Sequence, residues 1–249
     1  MSTARDASPL IDFPFYAGKP VGFTTGQWAI ILVAVALGFA LLVAPVPWYA
    51  NRFGQFVPAI LFAALPLAAL AWVTPAHWTA LFRKVGIGDV GWMVFFAVLN
   101  FAVTFAVGYA VMKWHGAHAN PATSLIANMS GTDLVLWFAK TVPQLLGEEL
   151  VTIVPMLALM TFLHVRLKWS RMASIVTAWV ATAVMFGALH LPTYSWDFMQ
   201  CIVIIGSARM LLTLAYLKTK NLWVSTGAHI INDWSMFAVG LMGVGAHVQ

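Results

Sequence analysis

The chain has 249 residues, of which 61% are hydrophobic and 8% charged, with a mean hydropathy of +0.86. A soluble core of this length needs far less apolar surface, so composition excludes an ordinary water-soluble domain and leaves a polytopic membrane protein. The net charge of +5 is spread through short connections instead of gathered in one patch, which argues against nucleic acid as a partner and for orientation in a bilayer.

Residues 1–26 hold Pro9, Pro14 and Pro20 and both signs of charge, without a basic start leading straight into an apolar stretch. No cleavable signal peptide is expected. Apolar runs of span length follow at about 27–47, 55–74, 91–112, 133–164, 172–190, 198–217 and 222–245. They predict an all-α, polytopic transmembrane helical bundle of about seven spans (six to eight), forming a single membrane-embedded domain over 1–249. Trp28, Trp48, Trp72, Trp92, Trp114, Trp196 and Trp223 fall near the ends of runs, where indole rings anchor at the headgroup boundary.

The run 133–164 is too long for one bilayer-thick helix, and Pro143 and Pro155 interrupt it. It reads either as one protruding, kinked helix or as a short interfacial piece followed by a span. Loop charge arbitrates. With seven spans and a cytoplasmic amino terminus, Arg5, Lys19, Arg83, Lys84, Arg166, Lys168, Arg171, Lys218 and Lys220 lie inside, against Arg52 and Lys113 outside. Splitting the run scatters these charges across both faces. The short loops and Ala-rich spans suggest the cell membrane of a bacterium. The single cysteine, Cys201, excludes an intrachain disulfide and reads as packing. His115 and His118, in the polar connection 115–131, have no acidic or cysteine neighbour at ligand spacing and read as exposed loop.

Glu148, Glu149 and Asp233 are the acids well inside apolar runs, His190 and His229 the embedded histidines, and Lys140 and Arg209 the embedded cations. A charge at a helix centre costs roughly 2.5–3.5 kcal/mol on insertion scales. Successive helical residues diverge by about 100°, so Glu148 and Glu149 cannot point at one spot. Phe186 and His190 are i and i+4 and share a face, as do His229 and Asp233, with Asn232 at i+3 beside them. Unpaired, each group would cost several kcal/mol in hydrocarbon, so they are expected to converge on one polar cavity. A Glu and a His around one water can activate it as a nucleophile, while a second His with an Asn or Asp can donate to a developing oxyanion. The implied chemistry is hydrolysis of an acyl bond. The same residue types also serve proton relays in transporters, and Glu148, His190 and His229 could bind zinc with an open position.

Glu148-Glu149, then Phe186 to His190, then His229 to Asp233 resemble the ordered motifs EExxxR, FxxxH and HxxxN/D of the CAAX-protease and bacteriocin-processing family of glutamate intramembrane endopeptidases. The stretch Leu214 to His229 is similar to the segment those proteins carry before their last motif. The resemblance spans about Leu145 to Trp234, within a motif-bearing core of about 132–245. It implies an intramembrane endopeptidase in which Glu148 and His190 activate water, His229 and Asp233 form the oxyanion site, and Glu149 supports its neighbour. No cofactor is implied. The partners implied are a peptide or protein substrate, lipidated or not, and the bilayer. Ile153 stands where the family has arginine, which leaves Glu149 without its expected cation; Arg209 is the first candidate substitute and Lys140 the second. Asp233 stands where many relatives have asparagine, so Asn232 remains a second possible donor. The alternative is a non-catalytic membrane protein of the same fold that gives bacteriocin self-immunity or binds a partner.

The cavity is expected to open to the cytosol. At about 1.5 Å per residue, Glu148 and His190 lie roughly 27 Å from the inner loop at Arg166 and Arg171, but His229 only roughly 14 Å from Lys220. These groups meet only if the fourth and fifth spans protrude or the last span tilts.

Overall fold

The structure is a computed structural model that describes residues 12–246; Arg5 and Pro9, used above to judge orientation and the leader, lie outside the described residues. The elements are α1 (Thr25–Leu42), α2 (Phe56–Val73), α3 (Ile87–Trp114), α4 (Pro121–Ala127), α5 (Gly131–Thr161), α6 (Arg171–Leu189), α7 (Gly206–Thr219) and α8 (Leu222–Ala246). No strand occurs among the described residues, and the fold is a polytopic helical bundle. Six helical segments are long and apolar enough to cross a membrane: α1, α2, α3, Gly131–Arg166, α6 and Met199–Thr219. The polar side chains of α8 lower its hydropathy, yet its 25 residues run the same way between the two ends.

Local chemistry sets the helix starts. The Thr24 hydroxyl accepts from Gln27 N while the Gln27 side chain accepts from Thr24 N, a reciprocal cap on α1. Ser130 caps α5 and Ser170 caps α6 in the same N3 position. The long run is one helix: α5 passes through Pro143 and Pro155 and continues as a π-helical turn, Phe162–Arg166. Its 36 residues span about 54 Å, against a hydrocarbon core of about 30 Å. α5 is also the most buried of the six spans, packed by α1, α2, α6 and α8. Gly147 permits the approach of α2, because a Cβ there would overlap the Phe62 ring.

Cross-links mark the two ends of the bundle. At one end, Asp12 pairs with Arg171 (Oδ1 to Nη2, 2.6 Å), Arg83 Nη2 donates to the Asp12 carbonyl (3.4 Å), and Arg83 N donates to Asn221 Oδ1 (3.1 Å). The amino-terminal segment and the α2–α3, α5–α6 and α7–α8 connections therefore share one face, the basic end. At the other end, Arg52 Nε meets Asp133 Oδ1 at 2.7 Å, His115 Nε2 meets Asp197 Oδ1 at 3.3 Å, and Gln200 bonds both the N–H and the carbonyl of His118 (2.7 and 2.9 Å). His118 is thus pinned through its backbone, and the connection 115–120 lies clamped on the start of the sixth span.

The basic end is stepped. Glu148 and His229 meet although they lie roughly 27 and 14 Å from this end counted along the chain, so α5 and α6 reach beyond the α7–α8 turn or α8 is tilted. The segment 12–23 fills the step. Phe13, Phe15 and Tyr16 are buried, with Phe13 against Tyr216 (centroids 6.0 Å), Tyr16 against His164 (5.2 Å) and Lys220 Nζ over the Phe13 ring (5.1 Å). The same segment corrects the reading of Trp28 as an interfacial anchor. Phe23 packs edge-on against its ring (5.0 Å), and Trp28 is 8% exposed, while Trp48, Trp72, Trp114 and Trp196 remain well exposed.

Candidate functional site

Four spans bring the polar groups together: α5 supplies Glu148 and Glu149, α6 ends on His190, the sixth span supplies Arg209, and α8 supplies His229, Asn232 and Asp233. The α6 contribution depends on close packing. A Cβ at Gly187 would overlap the Cys201 carbonyl, so glycine there lets α6 lie against the π-helical segment Met199–Ile205. Cys201 itself is free and buried.

The two adjacent glutamates face different surroundings, as their angular separation on a helix requires. Glu149 is fully buried. Its Oε1 lies 2.6 Å from Arg209 Nη2 and 2.9 Å from His229 Nδ1. Arg209, also fully buried, packs over the Phe186 ring (5.1 Å) and donates from Nε to Thr213 Oγ1 (3.3 Å). The Arg209–Glu149 contact is a close ion pair by distance without the alignment of a hydrogen bond, and Glu149 Oε2 and Arg209 Nη1 have no protein partner. The cation for Glu149 therefore comes from the sixth span, and Ile153, fully buried, fills the place of the motif arginine with apolar packing.

Glu148 is partly open, its side chain 14% exposed. Its Oε1 accepts from Gln144 Nε2 (3.1 Å), and Gln144 Oε1 accepts from Lys140 Nζ (2.7 Å), a chain along one face of α5 at i, i+4 and i+8. Lys140 thus serves Glu148 and not Glu149. His229 links the two glutamates: with Nδ1 held by Glu149, its Nε2 lies 3.8 Å from Glu148 Oε2 and 3.6 Å from Asp233 Oδ1. Asn232 Nδ2 donates to Asp233 Oδ1 (2.9 Å), so the amide considered as an oxyanion donor is engaged within its own motif.

His190 Nδ1 is 2.8 Å from the Phe186 carbonyl. A carbonyl oxygen only accepts, so Nδ1 carries a hydrogen, and in the neutral ring Nε2 keeps its lone pair. Glu148 and His190 both line three adjoining cavities of about 360, 290 and 390 Å³. The second also holds Arg209, His229, Asn232 and Asp233, along with Tyr194 and Gln200. Such volumes hold several waters, each of which needs about 30 Å³. Lys140 and Gln144 line the first and third cavities.

The cavities open toward one end of the bundle. Their walls include Val43, Tyr49 and Gln55, then His118, Asn120 and Leu125, then Thr193 and Tyr194, all from connections at the end opposite the basic one. No lining residue comes from 12–24, 74–86, 162–171 or 219–222. The described segment 12–24 and the connections that wall these cavities thus lie at opposite ends of the bundle.

Zinc was the alternative for Glu148, His190 and His229. Among the described residues, no three His, Cys, Asp or Glu side chains are grouped to hold a metal ion. Both histidines engage Nδ1 with protein oxygens.

Sequence reasoning missed Gln144, although its place midway between Lys140 and Glu148 at four-residue intervals was visible. It also missed Tyr194, which reaches the cavity through the turn after α6, while His118 is exposed loop as read and meets the cavity wall through contacts distant in sequence.

No match to this chain was found among curated proteins or among solved structures. A family model matches over residues 130–235, somewhat under half of the chain, from the cap of α5 to just beyond Asp233. That segment contains all the candidate side chains named above, and the family it matches is one of membrane proteases, described as type II CAAX prenyl endopeptidase Rce1-like.

Proposed function

We propose that the protein is an intramembrane endopeptidase of the CAAX-protease type that hydrolyses a peptide bond of a membrane-associated or leader peptide. The observation that carries this reading is that Glu148 and the free Nε2 of His190 border the same cavities, with His229 Nε2 3.8 Å from Glu148. A water donating one hydrogen to each of two acceptors keeps its lone pairs for attack. Glu148 takes one proton as the water oxygen bonds to the carbonyl carbon, and the displaced electron pair becomes an oxyanion facing His229, protonated at Nε2. When the C–N bond breaks, Glu148 returns the proton to the leaving nitrogen.

Glu149 and Arg209 act through His229. They hold its Nδ1 side, fix its tilt and direct Nε2 into the cavity, which makes them positioning residues. Asp233 flanks the same nitrogen and restrains the ring from the other side. This scheme uses no cofactor, so cleavage is expected to survive a chelator. The deciding experiment is Glu148→Gln in purified protein with a quenched peptide library. Loss of cleavage with folding intact supports the assignment; an unchanged rate removes it, and retained peptide binding by an inactive parent chain would favour the partner-binding alternative.

A further inference from the structure

We propose that Asn100 and Asn232 bind the main chain of an extended peptide, the first by donating to a backbone carbonyl and the second by accepting from a backbone N–H. That the held peptide is then cut rests on the protease reading; that it is held does not.

The cavity that contains Glu148, His190, His229 and Asp233 is also walled by a fifth span, α3, which reaches it through Asn100 and its i+4 neighbour Thr104. Asn100 stands outside residues 130–235, so the family match does not extend to it. Its side chain is fully buried in an apolar helix, where an amide is costly unless its hydrogen bonds are met. Thr104 Oγ1 donates to Asn100 Oδ1 at 3.4 Å, and Nδ2 is left as a buried donor with no partner among the described residues.

Asn232 presents the converse. It is 7% exposed, its Nδ2 donates to Asp233 Oδ1 at 2.9 Å, and its Oδ1 is a buried acceptor with no partner among the described residues. The bond to Asp233 fixes which end of the amide is free, because a carboxylate takes the NH2 side. Two packed helices, α3 and α8, thus offer one N–H and one C=O to the same cavity, each amide already engaged at its other end.

Buried polar groups in a native fold have partners, so an open pair of this kind calls for one. Water can meet both atoms between turnovers. The group that matches them together is the peptide bond, since the main chain carries one N–H and one C=O at each residue. A strand added to a sheet edge is held in the same way, by main-chain bonds that do not read side chains. An ester offers a carbonyl alone and leaves Asn232 Oδ1 unmatched. A chain held here is set in register with Glu148 and His190 whatever its sequence.

The test uses purified protein and a quenched peptide that it cleaves, chosen from the library. Two analogue series replace, one position at a time and sparing the scissile bond, each backbone N–H by an ester oxygen or each carbonyl by the weaker acceptor of a thioamide. In the parent, one ester and one thioamide should raise KM by about tenfold or more. In Asn232→Leu that ester, and in Asn100→Leu that thioamide, should cost less than about twofold. Penalties of equal size in parent and variants overturn the proposal. Asn100→Leu removes an unpaired buried donor and should unfold no lower than the parent; a marked fall in unfolding temperature with KM unchanged marks a structural amide and also overturns it. Should Asn232→Leu fail to accumulate, the Asn100→Leu comparison decides alone. If the parent cuts no peptide, dye-labelled forms of the same series are titrated by fluorescence polarisation, and the same pattern is expected in Kd. Binding with that pattern but without cleavage rejects the protease reading and keeps the pair, whereas cleavage with flat penalties, or no peptide binding at all, rejects the pair.

Discussion

The two faces of α5 that carry Glu148 and Glu149 are one residue apart and chemically opposite. Glu149 lies in a sealed contact with Arg209 and His229, where each charge depends on the others for solvation. Glu148 borders open space and touches protein chiefly through a neutral amide, Gln144, leaving an oxygen free for a small molecule. A buried ion pair holds geometry, and a carboxylate on a cavity is available for reaction. The difference teaches that the doubled glutamate combines a fixed half with a reactive half, and that His229, bonded to one and near the other, transmits position between them.

Substitutions can break this contrast. Glu148→Gln should lower the cleavage rate by about 10²–10⁴-fold, the usual contribution of a general base, with thermal stability nearly unchanged. Arg209→Leu should do the opposite first: stranding a buried carboxylate costs about 3–5 kcal/mol, read as a lower unfolding temperature in detergent. Arg209→Leu combined with Ile153→Arg returns a cation to one turn from Glu149. Recovery of both stability and rate would show that the position of the cation is interchangeable; a double variant worse than the single one would show that the sixth span is required. Lys140→Met removes the far end of the Lys140–Gln144–Glu148 chain and should reduce kcat by about tenfold, equivalent to about 1.4 kcal/mol, without changing the unfolding temperature.

The smallest effect lies outside the membrane. Burial pushes the Asp12 carboxyl up, but the Arg171 hydrogen bond and the Phe13 N–H outweigh it and hold the group below its ordinary value of 3.8. A carboxyl lowered by folding stabilises the protein above its unfolded value and loses that contribution as pH falls through the folded one. Asp12→Asn should therefore cost under about 1 kcal/mol at neutral pH, as for a solvent-screened pair. The gap from the parent should close below about pH 4 in a pH series of unfolding temperatures.

Much of this was legible in the sequence because membrane helices write their constraints locally. Span-length apolar runs gave the bundle, and the four-residue spacings Phe186–His190 and His229–Asp233 placed those side chains on shared helix faces. The vacancy at Ile153 directed attention to Arg209, since an embedded guanidinium has few places to go. What stayed hidden depends on contacts between distant segments. Nothing near Phe13, Phe15 and Tyr16 in sequence says that they fill a step between α6 and the α7–α8 turn, so Trp28 was misread as an anchor. Which end of the bundle the cavities open toward was hidden for the same reason: it follows from how connections distant in sequence pack together, which periodicity does not record.

That step also has a bearing on the order of assembly. Phe13 leaves the ribosome about 200 residues before Tyr216, the ring it packs against. At synthesis rates of about 5–20 residues per second, the segment waits roughly 10–40 s for its seat to exist. During that time its aromatic rings have only their near neighbours in sequence, such as Phe23 beneath Phe15, to pack against. Phe13 is thus made long before its seat on Tyr216, and this part of the basic end closes only once the helices behind it are in place.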